Sequence, residues 1–549
     1  MLKMRRFIAA VMLLIMTIVV ASGCGSTNKD GEKDSVSSEQ SAVTETKPEE
    51  TTQGGAEDEK KEELEPITFK AMWMYDWFNI KWGEDPASRK MTELTGVSFD
   101  LSAPTGDGNE KANLMLISKD YPEIMWMDRN AVWHNYVSAG ALYAIDVLTE
   151  QYDCPKLLGE YIPESTVRNL KHPDGHLYGI PNWFSDKGQQ SVGGTLNVRI
   201  DIYKALGSPE IKTIDDLYNY LVKVKEGNFE FNGQKVYPFS YTGKADIVGM
   251  LANLWGNQIR EYKYFDEKEQ KVKFYLRNPD VLEAVKFLNR LYREKLFDTD
   301  IFTYKGEEQL QALAKGKYAV DFGWIWNLWD QVNNPLKAID PNVYFKAIEP
   351  PAGKPGVTPY VDSYSTIGWN VAVITKNCKN PERAIKFFDF YLSPLGQAIS
   401  FYGIEGETWE WVDGMPKLKE GVFDQLTADW DGYSKRTGVW YITFNQNQKY
   451  NPEIQEEKGQ RKIDRTIAEK YAFDGTALSI LNLDGSSDAG KAWTNVSLSL
   501  DEEMMKVILS KTEQECVDAY NRLLKKCEDL GIAKTEEEWT RQYLERLKY

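Results

Sequence analysis

The chain holds only three histidines, His134, His172 and His176, so acid–base or metal chemistry must be sought around them or among the carboxylates. His172 and His176 have the i, i+4 spacing of a helical metal site. Pro173, Asp174 and Gly175 stand between them and make a turn, so the shared helical face is lost. A hairpin tip with two solvent-exposed imidazoles is expected instead. The sequence has no Walker-type glycine loop and no GxSxG elbow. Its 83 Asp and Glu residues provide too many candidate pairs for glycoside hydrolysis, and spacing along a chain gives no separation in space. Aromatic surface is what the chain has in quantity: 17 Trp, 30 Tyr and 22 Phe. A sugar offers flat patches of C–H bonds framed by hydroxyls. An aromatic ring covers the patch, and neighbouring Asp, Asn, Arg and Tyr groups bond the hydroxyls. Four clusters have that mixture: Trp73-Met74-Tyr75-Asp76-Trp77-Phe78, Pro181-Asn182-Trp183-Phe184, Asp321-Phe322-Gly323-Trp324-Ile325-Trp326-Asn327 and Gly368-Trp369-Asn370. A tryptophan is more often core than platform, so placement after strand ends is what singles some of them out.

The elements that must position these clusters are readable. Thr213-Ile214-Asp215-Asp216 is a capping box opening a run with Leu217, Tyr220, Leu221 and Val224 at helical spacing. Asn278-Pro279 and Asn380-Pro381 open two further amphipathic helices, and Ser393-Pro394 stops the second of these. Strand-like runs lie at Ile67 to Met74, Glu123 to Met127, Lys317 to Phe322 and Ile367 to Thr375. Short strands alternating with amphipathic helices imply an α/β architecture. The last fifty residues are mostly helical and charged, with Gly531 as a helix stop.

The N-terminal residues speak to compartment. Lys3, Arg5 and Arg6 precede an apolar run from Phe7 to Val20, then Ala21, Ser22, Gly23 and Cys24. That order is a secretory signal over residues 1–23, with Cys24 placed to take a diacylglycerol after cleavage. Ala21 stands where leucine is commonest. Gly25 to Glu65 holds no aromatic residue and carries 13 acidic against 5 basic side chains, a composition that cannot offset its ordering entropy. Residues 24–66 are therefore expected to be a disordered tether behind the lipid. Loss of the signal takes the net charge from −17 to −20, which argues against nucleic-acid partners. Cys154, Cys378, Cys516 and Cys527 remain; the last two lie about 16 Å apart if helical, too far for a disulfide, and four unpaired thiols are expected.

An ordered series of short motifs carries a resemblance. Asp120-Tyr121-Pro122-Glu123-Ile124 is followed by Asp174-Gly175-His176-Leu177-Tyr178-Gly179-Ile180-Pro181, then by Asn197-Val198-Arg199-Ile200-Asp201 and Gly316-Lys317-Tyr318-Ala319-Val320. Asn380-Pro381-Glu382-Arg383-Ala384 and Tyr402-Gly403-Ile404-Glu405-Gly406-Glu407-Thr408-Trp409 complete it. The series resembles the sugar-directed extracellular solute-binding lipoproteins of ABC importers, and is similar to the alginate-oligosaccharide binders among them. The resemblance implies a two-lobed periplasmic-binding-protein-like α/β fold, with a hinge and an interlobe cleft. Residues 67–182 with 371–430 would form the first lobe, and 183–370 with 431–549 the second. It places ligand contacts at Trp183, Arg199, Trp324, Trp369 and Trp409, to which the first-lobe strand ends add Asp76, Trp77 and Asp128. The tryptophans would stack; Arg199 and the aspartates would bond hydroxyls or a uronate. Close relatives carry a calcium loop, but here Glu226 to Pro238 places Phe229, Phe231 and Lys235 where oxygen ligands would stand. No metal and no cofactor are expected. The implied protein is a non-enzymatic, lipid-anchored monomer on the outer face of the cell membrane. It would pass a mono- or oligosaccharide to ABC permease subunits. A lipid-anchored glycoside hydrolase or lyase is the alternative, and a binder of peptides or of a polyanionic polymer the third reading.

Overall fold

The computed structural model describes residues 65–76, 78–186, 192–241, 244–304 and 308–546. Cys24, the acidic tether and Trp77 lie outside them. Nine strands form two central sheets: β1 (Ile67–Trp73), β2 (Val97–Ser102), β3 (Ile124–Asp128), β4 (Ile180–Pro181), β5 (Gly194–Arg199), β6 (Tyr237–Tyr241), β7 (Tyr318–Trp324), β8 (Phe345–Ile348) and β9 (Asn370–Ile374). The first sheet has the order β2-β1-β3-β9-β4 and the second β6-β7-β5-β8. In the first, β1, β2 and β3 run parallel and β9 runs against them. In the second, β6 and β7 are parallel, and β5 is antiparallel to β7 and to β8. Helices cover these sheets, as parallel strands buried on both faces require.

The helix signals hold their places. Thr213 and Asp216 close a reciprocal capping box on Ile214–Glu226, and Asn278 and Asn380 cap Pro279–Arg293 and Pro381–Leu392. Each such cap is worth about 1 kcal/mol. Ser393 does more than stop a helix, since its hydroxyl also accepts from Gly396 N and starts the next one, Pro394–Tyr402. Cys516 and Cys527 share the helix Glu513–Asp529, and all four described cysteines are free and buried.

Separate apolar cores lie under the two sheets. One gathers Leu196, Val198, Phe239, Tyr241, Val320 and Phe322 with the C-terminal helices. The other gathers Phe69, Trp126, Ala372 and Ile374 with Phe387, Phe388 and Tyr391. Residues 431–450, assigned above to the second lobe, pack on the first: Tyr433 and Val439 join Phe401 and Trp409, and Phe444 reaches Trp126. Asn445, fully buried, fixes this segment by accepting from Trp126 Nε1 at 3.0 Å and donating to the Ile180 and Pro181 carbonyls at 3.0 and 2.8 Å. The chain thus passes between lobes near Trp183, again near Ile367, and a third time after Tyr450. The third passage is anchored by a buried ion pair, Arg465 with both oxygens of Glu457 at 2.5 and 2.7 Å.

A candidate ligand cleft between the lobes

The carboxyl ends of β1 and β3 and the amino end of β9 share one edge of the first sheet, because β9 is antiparallel to β3. The carboxyl ends of β6 and β7 and the amino end of β5 likewise share one edge of the second. The first two passages between lobes leave β4 and enter β9 at the first of these edges. Both edges therefore border the interlobe space, the position where open α/β sheets take ligands.

On the first-lobe side, Tyr75 donates to Asp128 Oδ1 at 2.6 Å. Burial raises the Asp128 carboxyl pKa above its ordinary value, with the Tyr75 and Asn109 bonds opposing. Trp369 stands edge-on to Tyr75, ring centroids 4.9 Å apart, and 47% of it is exposed. An indole left half open beside a polar pair is a platform in search of a partner. Arg129 follows Asp128; its amide donates to the Trp369 carbonyl at 3.2 Å, and its guanidinium donates twice to the Gly368 carbonyl at 3.1 and 2.9 Å. A side chain at Gly368 would overlap Asn182 Oδ1, so the passage needs glycine there. Asp76 is exposed in the turn after β1. Trp73 and Phe78 are core, stacked on one another at 4.8 Å.

On the second-lobe side, Trp324 ends β7 partly exposed, opposite Gly194 of β5. Trp326 is 37% exposed, and its ring lies where any side chain at Gly193 would be. Asp362 accepts from Gly194 N at 2.9 Å. Arg260 donates to Ser363 Oγ at 3.1 Å and to Glu261 Oε1 at 3.2 Å, with Asp362 at 3.8 Å. Glu261 and Tyr262 are consecutive non-glycine residues with left-handed backbones, φ 47° and 68°. Such strain persists only where the surroundings over-determine it. Burial would raise the Glu261 carboxyl, but Lys263 and Arg260 outweigh it and hold the pKa below the ordinary value.

The remaining assigned residues lie elsewhere or play other parts. Trp183 is half-buried on the first passage, pairing through its backbone with Gln446 and accepting from Gly368 N at 2.7 Å. Arg199 is 1% exposed at the far end of β5, bonded to Asp201 at 2.9 and 3.0 Å and to the Gly316 carbonyl at 2.7 Å. Trp409 has no exposed surface; its Nε1 donates to the Gly403 carbonyl at 3.1 Å. Neither presents a free face to a ligand. Tyr75, Arg129, Trp326, Arg260 and Glu261 were not singled out. Tyr75 and Trp326 sat inside the aromatic clusters, whereas nothing in the local sequence marks the Arg260-Glu261 turn.

The histidine hairpin is a turn, His172 N donating to the His176 carbonyl at 2.8 Å. Only His176 stands well out in solvent, bonded to Asp146 at 2.9 Å; the His172 side chain is 17% exposed, covered by His134 and Trp133. Glu230–Phe231 and Gln234–Lys235 form a small hairpin, and the Phe231 ring lies under Arg199 at 5.1 Å. Among the described residues, no cluster of three His, Cys, Asp or Glu side chains could hold a metal, and no helix is long and apolar enough to cross a membrane.

Known proteins resemble this chain in sequence and in fold. The fructooligosaccharide ABC transporter substrate-binding protein FusA of Streptococcus pneumoniae is 26% identical over 336 residues, 58% of this chain and 60% of that protein. Lipoprotein LipO of Bacillus subtilis is 24% identical over 369 residues, 62% of this chain and 66% of that one. The chain thus spans less than two thirds of the length of these curated relatives. A structure of the alginate-binding protein AlgQ2 superposes with TM-score 0.70 and 22% identity, covering 87% of this chain and 98% of that one. FusA in complex with kestose superposes with TM-score 0.68 and 19% identity, covering 88% and 100%. These likenesses establish the two-lobed solute-binding fold. The family model of bacterial extracellular solute-binding proteins matches residues 92–398, over half of the chain, and the chain belongs to that family.

Proposed function

We propose that the protein captures a carbohydrate between its lobes and delivers it, unreacted, to an ABC permease from a lipid anchor on Cys24. The observation that carries this reading is the half-open Trp369 indole, set against the Tyr75–Asp128 pair at the edge where the lobes meet. An open aromatic face beside an acceptor already held by a phenol is suited to stacking a sugar ring and bonding its rim hydroxyls. Trp324 and Trp326 offer a second aromatic surface on the other lobe. The similarity to FusA, a fructooligosaccharide transporter's substrate-binding protein, and to the alginate-binding protein AlgQ2 supports a saccharide guest. Closing the lobes would sequester the guest, and the closed form would be the one a permease selects. The protein would act as a monomer, without cofactor or metal.

Calorimetric titration with fructooligosaccharides and other oligosaccharides, followed by a reducing-end assay of the same samples, tests the reading. Saturable heat with no new reducing ends is the expected result. Release of reducing ends would move the protein to the hydrolase alternative.

A further inference from the structure

A second feature borders the cleft. A cavity of about 770 Å³ lies between the first-lobe helices Ala131–Ser138 and Glu164–Leu170 and the second-lobe helix Ile532–Arg546. Its lining carries five arginines and lysines against three carboxylates, in a chain whose net charge is −17. The carboxylates are already engaged. Glu538 and Glu545 both hold Arg541, at 2.7 Å, and Asp484 accepts from the Ser486 amide and hydroxyl at 2.8 and 2.7 Å.

Two of the cations have only neutral partners. Arg129, 8% exposed, donates to the Gly368 carbonyl. Arg546 donates to the Asn169 carbonyl of the first lobe at 2.7 Å and to the Ile480 carbonyl at 3.3 Å. Neither makes an ion pair among the described residues. Burial lowers both guanidiniums from their ordinary pKa, Arg129 to about 10, where Glu261 opposes the shift and Arg546 adds to it. Two desolvated cations at one cavity, with no carboxylate at ion-pair distance among the described residues and only the longer-range attraction of Glu261, Asp128 and Glu545, carry an electrostatic cost that a bound anion would relieve. His134 supplies no charge, because burial first and His172 second bring its pKa down to about 4.

We propose that this cavity is an anion site, taking a carboxylate or phosphate group between Arg129 of the first lobe and Arg546 of the second, with Lys171 at its rim. The anion would be either free in solution or carried by the captured glycan; the first source needs only the two-lobed fold, whereas the second rests on the carbohydrate reading. Because each lobe contributes one guanidinium, the anion favours the closed arrangement. Anion and cleft ligand then strengthen one another's binding by the same factor.

The test is calorimetry on the full chain and on Arg546→Gln and Arg546→Lys, titrated with inorganic phosphate, with an oligogalacturonide and with an uncharged oligosaccharide of equal length. The expected result is binding of phosphate or of the oligogalacturonide that weakens at least tenfold in Arg546→Gln and only a few-fold in Arg546→Lys. Phosphate heat identifies a free anion; oligogalacturonide heat without phosphate heat identifies a group on the guest. Absence of heat from both anions, an unchanged Kd in Arg546→Gln, or equal loss in the two variants overturns the site. If phosphate binds while neither oligosaccharide does, the anion site stands and the carbohydrate reading falls.

Discussion

Arg199 and Arg129 are both buried guanidiniums at the ends of central strands, and their surroundings differ in kind. Arg199 closes on the Asp201 carboxylate, caps the Gly316 carbonyl and rests on the Phe231 ring. Its charge is balanced inside one lobe, at the end of β5 away from the passages between lobes. Among the described residues the Arg129 guanidinium bonds only the Gly368 carbonyl, and it lies on a cavity wall beside one of those passages. Equal burial therefore does not mean equal use. A cation paired with a carboxylate is a finished structural unit, whereas one paired with a carbonyl keeps its field for a guest. The tryptophans divide the same way: Trp409 is fully buried with its N–H satisfied, and Trp369 is half open.

The largest effect should come from the tryptophan pair. Trp409→Ala empties a fully buried site and should cost about 4 kcal/mol of stability in urea unfolding. Trp369→Ala should leave the unfolding midpoint within error and weaken carbohydrate affinity by about 2 kcal/mol, roughly thirtyfold in Kd. Interchanged phenotypes would reverse the division drawn above. Next in size is Arg199→Ala, which strands Asp201 and should cost about 3 kcal/mol, toward the low end for buried pairs because the Asp201 side chain is 28% exposed. Ligand affinity of the folded protein should be unchanged. A variant that stays stable but loses ligand would return Arg199 to the cleft.

The smallest effect is a pH slope. Asp321, in the middle of β7, is pushed up to about 7 by burial, with its bonds from Ser240 and Gln309 opposing. Its folded pKa lies above the unfolded one, so the folded state holds the extra proton. Stability from this group is full below about pH 4 and falls as pH rises through 7. Glu453, raised to about 7 by burial against the pull of Arg465, adds in the same direction. Asp321→Asn should flatten the decline in unfolding free energy between pH 5 and pH 7 by about 1 kcal/mol per pH unit, read from urea unfolding at each pH. An unaltered slope would mean that the carboxyl is not buried in solution.

Local signals carried much of the fold. The capping residues Thr213, Asn278 and Asn380 stand where the helices begin, because an N-cap bonds amides only two or three residues away. The strand runs at Ile67 and Ile367 each contain a central strand, and those at Glu123 and Lys317 each fall on one that runs one or two residues further. The site was legible less evenly. Asp128, from a strand end, and Trp369, from the resemblance, meet around Tyr75, whereas Trp409 and Arg199 share the composition of ligand contacts and are buried. Segment 431–450 joined the first lobe through Asn445, whose side-chain partners are more than 260 residues away in sequence.

The sequence by itself determined the alternation of strands and helices, the positions of their caps and the aromatic stock from which a sugar site could be drawn, since each depends on neighbours within a few residues. Only the tertiary structure decided which indoles stay open and which of the described buried arginines pair with a carboxylate. Exposure and charge pairing are properties of residues brought together across two sheets, and no spacing along the chain encodes them.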